Sequence, residues 1–248
     1  LLLVLAYFMV SRQRFLYKPV LTGHFIASTL VFLLGILHRF GVDPLGMYEG
    51  LDEKYHLEFL STMGQATWYS SYVCTVLVLG IAVFYLAKNS RVRIGAGLYC
   101  AVGFATVVTQ NSDSAFVSMF VIFFALFLFS CKCPDRMERF FETLLLLLGS
   151  FKAVGVLQEL YPQKAVALDT LFSTSVATWG LLLAVALLYM IFLLYRAREE
   201  GRNDALHPGQ RTFPMGRILS KVAWALLALG LILVVGLIWL NTTGRLGK

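Results

Sequence analysis

The sequence predicts an all-α protein, a polytopic bundle of transmembrane helices with about seven full spans and one partial span at its start. Two observations predict this class. Apolar segments of roughly 17 to 27 residues alternate with short charged connectors, and about 20 residues at a rise of about 1.5 Å match the roughly 30 Å hydrocarbon core of a bilayer. Moreover, 58% of the 248 residues are hydrophobic and only 14% are charged. That leaves too little polar surface to solvate a globule of this length.

The apolar segments give the predicted helix boundaries, to within about three residues. In chain order the spans are Leu1–Val10 (partial), Val20–Arg39, Ala66–Ala87, Ile94–Gln110, Ser114–Cys131, Phe140–Leu160, Asp169–Tyr195 and Leu219–Asn241. We interpret residues 1–248 as a single transmembrane domain and as a piece of a longer protein, because the first apolar stretch is too short to span. The charged, Gly- and Pro-containing connector that follows Tyr195 is predicted to be a mobile loop.

The distribution of basic residues supports these spans, because Lys and Arg concentrate in every second connector. Fifteen of the 21 Lys and Arg residues do so: Arg12, Arg14, Lys18, Lys88, Arg91, Arg93, Lys132, Arg136, Arg139, Arg196, Arg198, Arg202, Arg211, Arg217 and Lys221. The positive-inside tendency therefore predicts that these connectors face the cytoplasm. The net charge of +7 is then explained by topology and by anionic lipid headgroups, and it indicates the bilayer rather than nucleic acid as the partner.

The cysteines and histidines do not predict a metal centre or a disulfide framework. Two cysteines lie inside spans, two form a C-x-C pair at a helix end, and none of the four histidines shows metal-ligand spacing. These residues are Cys74, Cys100, Cys131, Cys133, His24, His38, His56 and His207. We expect no metal and no other cofactor.

The long outer connector between the first two full spans, residues 40–65, is the first candidate site. It has a turn sequence at Asp43-Pro44-Leu45-Gly46 and a polar entry to the next helix that ends in Gln65. Free N–H groups and the helix dipole at such an entry favour an anion, so a phosphate could bind beside Gln65. The simpler alternative is that Ser61 or Thr62 only caps the helix.

Two further outer positions and one basic residue within a span complete the candidates. Arg39 ends its span at the outer rim, where a guanidinium can bind a phosphate through two parallel hydrogen bonds. Asp113 lies in the polar turn 109–114 and can orient a hydroxyl or pair with a cation, although turn formation alone also explains it. Lys152 lies in the middle of a predicted span, where an ammonium needs a cavity or a partner. It is either a cation for an anionic lipid phosphate or one half of an ion pair with Asp113 or Glu159.

Three ordered stretches carry a resemblance to a known family. Residues 35–46 (GILHRFGVDPLG), 59–65 (FLSTMGQ) and 109–114 (TQNSDS) resemble the bacterial O-antigen ligase and O-antigen polymerase family, in a Gram-positive, clostridial-type form. The resemblance implies a GT-C-type membrane glycosyltransferase that moves a glycan from a polyprenyl-diphosphate carrier to an acceptor hydroxyl outside the bacterial plasma membrane. It implies neither metal nor nucleotide.

The chain also departs from the family at two of these motifs. Members often have Ser-Arg-Gly where this chain has Ser112-Asp113-Ser114, and Gly-Asn where it has Gly64-Gln65, so Arg39 or Lys152 would supply the missing positive charge. Members usually carry the catalytic His in a large outer loop after the span that ends here near Asn241, and we therefore expect it outside these 248 residues. The alternative function is a transporter or flippase of a polyprenyl-linked or other amphipathic anion, with Lys152 near the middle of the membrane.

Overall fold

The computed structural model of the protein describes residues 17–52, 55–56, 61–110, 112–162, 179–206 and 214–242, and among these residues the regular elements are helices without strands. They are α1 (Tyr17–Arg39), α2 (Ala66–Leu86), α3 (Ser90–Gln110), α4 (Asp113–Ser130), α5 (Pro134–Leu160), α6 (Trp179–Leu206) and α7 (Pro214–Thr242). Each contains a stretch long and apolar enough to cross a membrane. The prediction of an all-α, multi-pass membrane protein is confirmed, while the partial span Leu1–Val10 lies outside the described residues.

Four predicted boundaries are wrong by more than three residues: α3 begins at Ser90 rather than Ile94, α7 begins at Pro214 rather than Leu219, and the end of α6 and the start of α5 also differ. The segment after Tyr195, predicted to be a loop, continues α6 as far as Leu206. Arg196 pairs there with Asp135 and Glu138 of α5, and this ion pairing holds the extension against a neighbouring helix. The start of α5 was placed six residues too late, because Pro134 at the first helical position is well suited to begin a helix. The predicted start of α6 at Asp169 lies outside the described residues.

The described residues divide into two compact units, one within Leu1–Val121 and Glu142–Leu187 and one within Ile122–Phe141 and Leu188–Lys248. The second unit is held by aromatic contacts. Phe140 lies edge-on to Phe127, with 5.3 Å between the ring centroids. Phe141 stacks on Tyr189 at 5.7 Å, and Phe124 meets Trp224 of α7 edge-on. Such offset and edge-to-face pairs add specific geometry to apolar burial.

In the first unit, glycines let the helices approach closely. A Cβ atom on Gly35 of α1 would lie 2.0 Å from the Tyr69 hydroxyl of α2, and one on Gly80 of α2 would lie 2.4 Å from the Tyr99 ring of α3. A Cβ on Gly103 of α3 would lie 2.6 Å from Leu77. Small residues at helix contacts are typical of membrane bundles, because lipid gives helices no hydrophobic reason to associate and close packing must supply the attraction.

Close packing lets hydroxyl groups of one helix reach carbonyl groups of another. Tyr69 is fully buried and donates to the Val31 carbonyl of α1 at 3.0 Å. Thr106 of α3 donates to the Phe32 carbonyl at 3.3 Å, and Tyr99 donates to Val76 at 3.3 Å. Because water is absent from the bilayer core, such internal partners are needed for each buried polar group. These bonds tie α1, α2 and α3 into one three-helix packing unit.

We expect Gly35→Ala to destabilise the fold by about 1–3 kcal/mol, because the added methyl group collides with Tyr69 in a packed interface. Gly23→Ala is the matched control in the same helix. A Cβ there meets nothing within 4 Å, so the better helix propensity of Ala should leave stability unchanged or raise it by up to about 1 kcal/mol. Thermal unfolding in detergent measures both, and equal melting temperatures for the two variants would contradict this packing.

Candidate functional site

The candidate site lies at the end of the first unit where the outer connector was predicted. α1 ends there in a Schellman motif: Gly41 has φ of 69°, its N–H donates to the His38 carbonyl at 3.0 Å, and the Val42 N–H donates to the Leu37 carbonyl at 2.9 Å. This motif turns the chain back over the helix end. We refer to this end of the unit as the loop end, and to the other end, where the predicted basic connectors lie, as the basic end.

The turn that follows is organised by the Asp43 carboxylate. Its oxygens accept the Tyr48 N–H at 2.7 Å and the Leu45 N–H at 3.3 Å. Burial alone would raise the pKa of Asp43, but the backbone donors of Tyr48, Met47 and Leu45 together with the nearby His38 outweigh it and lower that pKa. Asp43 is therefore a charged acceptor at neutral pH, and it folds residues 43–48 around itself.

His38 joins this turn to the entry of α2. Its Nδ1 accepts the Ser61 N–H at 3.0 Å, which leaves the proton of the neutral ring on Nε2, 3.4 Å from Asp43 Oδ1. Ser61 has φ of 60° and also donates its hydroxyl to the Val31 carbonyl at 2.7 Å. Nδ1 is occupied by a backbone donor, Nε2 makes no hydrogen bond within the described residues, and the side chain is fully buried. His38 therefore holds the connector in place and is not available as a base.

Aromatic rings cover this arrangement. Tyr48 lies 4.7 Å from the His38 ring and stacks on His56, with 4.4 Å between centroids and 8° between planes. His56 in turn lies 3.2 Å through Nε2 from the Leu51 carbonyl. Burial, and then the Asp43 charge, raise the pKa of Tyr48 to about 12, so its hydroxyl stays neutral. The described residues of the connector therefore pack against one another and against the end of α1.

The entry to α2 differs from the capping alternative considered for Ser61 and Thr62. Gln65 is the N-cap residue, and its side chain makes no capping hydrogen bond. Ser61 bonds to α1 instead, and Thr62 is exposed. Neither Ser61 nor Thr62 therefore caps the helix, and the exposed amide of Gln65 stands at the helix start.

The turn between α3 and α4 contains a buried amide that the sequence analysis did not single out. Gln110 is 6% exposed, and its Oε1 accepts the Ser70 hydroxyl of α2 at 3.2 Å. Its Nε2 atom is buried without a hydrogen-bond partner among the described residues. Such an orphan donor is costly, and an acceptor from outside the described residues would satisfy it.

The first turn of α4 follows directly. Asp113 is exposed at the first helical position, and the Ser112 and Ser114 hydroxyls lie 2.9 Å apart. The Ser112 carbonyl accepts the Ala115 N–H at 3.0 Å. Asn111 lies outside the described residues. The helix start offers N–H groups and hydroxyls at the surface, but it also carries a carboxylate.

Lys152 lies in the last third of its helix rather than at its centre. It is the nineteenth residue of the 27-residue α5, and its neighbour Phe151 meets Phe116 of α4 edge-on at 6.1 Å. The Lys152 side chain is 11% exposed, and Nζ lies 3.8 Å from Glu159, whose side chain is 73% exposed. Nζ also lies 4.9 Å from the Trp179 ring centroid, in cation–π range. Of the two ion-pair alternatives for Lys152, the structure shows the pair with Glu159 and not the pair with Asp113.

Three of the four residues selected from the sequence begin or end helices at the loop end, and Lys152 lies eight residues before the end of α5. Arg39 ends α1 and is 5% exposed, Gln65 begins α2 and Asp113 begins α4. Contacts between successive helices relate these ends: His38 with Ser61, Ser70 with Gln110, and Phe116 with Phe151. Whether these residues bind a substrate stays a prediction. The sequence prediction missed Gln110, whose signal was an amide at the end of an apolar run. It also missed the pairing of His38 with Asp43, whose signal was an Asp-Pro turn after a His at a helix end.

Comparisons of the chain with protein-family models, with curated proteins and with solved structures find no match. Within the described residues, no group of three or more His, Cys, Asp or Glu side chains could hold a metal ion. The arrangement of donors at the loop end therefore carries the functional argument.

We predict that the 43–48 turn loosens in acid. A carboxyl group with a lowered pKa stabilises the turn at neutral pH, and this stabilisation disappears as the pH falls through its folded-state pKa. Hydrogen exchange of the Tyr48 amide, corrected for its intrinsic rate, should show protection that decreases at low pH. Asp43→Asn should lose protection at neutral pH and weaken the pH dependence, while Glu49→Gln in the same turn should behave like the parent. Unchanged protection in Asp43→Asn would contradict the role of this carboxylate.

Proposed function

We propose that this chain is the membrane part of an O-antigen ligase- or polymerase-like glycosyltransferase. It would transfer a glycan from a polyprenyl-diphosphate carrier to an acceptor hydroxyl on the extracytoplasmic face of the bacterial plasma membrane. The loop end would face outward and the basic end the cytoplasm, as the positive-inside tendency predicts.

The observation that carries the proposal is the nearly buried ammonium of Lys152, paired with a mostly exposed carboxylate. A nearly buried ammonium is costly unless a negative group compensates it, and Glu159, its partner, is itself mostly exposed. The pair can therefore open towards a stronger anion when one arrives. A diphosphate group carries more negative charge than one carboxylate, so it fits this role.

The Gln110 amide supports the same assignment. Its buried Nε2 donor needs an acceptor oxygen, and it lies at the end of α3 directly before the exposed start of α4. Phosphate oxygens are acceptors, and helix starts favour them through free N–H groups. Lys152 would neutralise charge while Gln110 would orient one oxygen.

The partner of Lys152 favours this function over the transporter. Lys152 lies eight residues before the end of α5, and Glu159 lies one residue before that end. Transport would be better served by a cation and a partner near the middle of the membrane. A cation whose partner lies at the helix end suits a carrier whose phosphates stay at the headgroup level.

We expect Lys152→Ala in the full-length protein to lower glycan transfer from the carrier by about tenfold or more, since a hydrogen bond to a charged group contributes about 1.5–3 kcal/mol. Lys152→Arg should keep most of the activity, and Lys88→Ala, which removes an exposed cation at the basic end, should leave it unchanged. Transfer is measured with carrier-linked glycan at saturating acceptor, alongside thermal unfolding to verify folding. Full activity in Lys152→Ala would refute the assignment of this residue.

The other candidates are tested in the same assay. Gln110→Leu replaces the orphan donor with an apolar side chain of similar size. This variant should raise the apparent KM for the carrier. Arg39→Ala, Asp113→Ala and Gln65→Ala test the three remaining residues selected from the sequence. If all four variants and Lys152→Ala transfer glycan like the parent, the loop end is not the binding site.

A further inference from the structure

An apolar groove lies away from the loop end, on the surface of the first unit. It is a groove of about 720 Å³ between α1 and α3, with α2 contributing Val83. Its lining includes Leu21, Phe25, Ile26, Gly95, Leu98 and Tyr99. The volume falls within the range of about 300–1,000 Å³ that is usual for small-molecule sites.

The groove is built to receive hydrocarbon. Phe25 and Tyr99 meet edge-on at 4.7 Å and join the two helices at the groove. Two of the hydroxyl groups that line it are already bonded within the protein, Thr29 to the Phe25 carbonyl at 2.7 Å and Tyr99 to the Val76 carbonyl at 3.3 Å. The rest of the lining is mostly apolar, so the groove suits an extended apolar chain.

The end of the groove at the start of these helices is positively charged. Lys18 precedes Thr22 by four residues on α1, and Arg91 precedes Gly95 by four residues on α3, so each basic residue lies on the same helix face as the lining. Both basic residues are exposed. Side chains in a helix lean towards its N-terminus, which directs these two cations away from the apolar channel towards the interface.

We propose that this groove binds one molecule of anionic phospholipid from the bilayer, with an acyl chain between α1 and α3 and the phosphate headgroup between Lys18 and Arg91. Apolar walls account for the chain, and the two cations account for the selection of an anionic headgroup. The site is independent of the proposed glycan transfer, because none of its residues belongs to the loop end.

Gly95 offers a direct test. A Cβ on Gly95 meets nothing within 4 Å and Gly95 lines the groove, so the ring of Gly95→Phe should occupy the groove. Gly149→Phe is the matched control, because a Cβ there also meets nothing within 4 Å and Gly149 does not line the groove. The full-length protein and its variants are delipidated in detergent, supplied with phosphatidylglycerol or phosphatidylcholine, and examined by native mass spectrometry for retained lipid.

We expect the parent and Gly149→Phe to retain phosphatidylglycerol over phosphatidylcholine by roughly tenfold or more, since each basic residue near the headgroup contributes about fivefold. Gly95→Phe should retain severalfold less of both lipids. The double variant Lys18→Gln/Arg91→Gln should retain the two lipids equally. Unfolding temperatures of the variants show whether they are folded.

Three outcomes would overturn the proposal. One is a folded Gly95→Phe variant that retains lipid like the parent. Another is a double variant that keeps the preference for phosphatidylglycerol. The third is a parent protein that retains lipid only after residues 1–10 are deleted, because the groove would then be occupied by the chain itself.

Discussion

The first unit depends on the close approach of neighbouring helices at glycine residues. Because Gly35 leaves room for the Tyr69 ring, the hydroxyl of Tyr69 reaches the Val31 carbonyl, and the Ser61 hydroxyl reaches the same carbonyl from the connector. A single carbonyl of α1 therefore accepts from both α2 and the connector before it. The position of the loop end follows from how closely α1 and α2 pack, since a larger residue at Gly35 would displace the ring that fixes this carbonyl.

The helices were largely predictable because a bilayer requires long apolar segments, and each full span has a counterpart among α1 to α7. Helix ends were harder to predict. The apolar pattern stops at Tyr195, but α6 continues because Arg196 finds Asp135 and Glu138, and a partner on another helix is invisible to a local pattern. Likewise Pro134 begins α5 before its apolar run, since the first turn is polar and lies outside the apolar stretch.

The candidate site was predictable only in part. Charge within a span marked Lys152, and i, i+7 spacing indicated Glu159, because both signals are local. The orphan donor of Gln110 depends on Ser70, 40 residues earlier, and the orientation of His38 depends on Ser61, 23 residues later. Such pairings arise from helix packing and a left-handed turn, which no spacing rule gives. The outer connector was expected to bind an anion through its helix entry, whereas the structure shows a turn organised by the Asp43 carboxylate.

The central claim is that Lys152 and Gln110 together hold a lipid-linked diphosphate at the loop end. The most direct test is an experimental structure of the full-length protein with a bound polyprenyl-diphosphate analogue. The account predicts that phosphate oxygens lie within about 4 Å of Lys152 Nζ and within hydrogen-bonding distance of Gln110 Nε2, with Glu159 moved away. A diphosphate bound at the basic end, or at the loop end with the pair of Lys152 and Glu159 intact and Gln110 unpartnered, would contradict it.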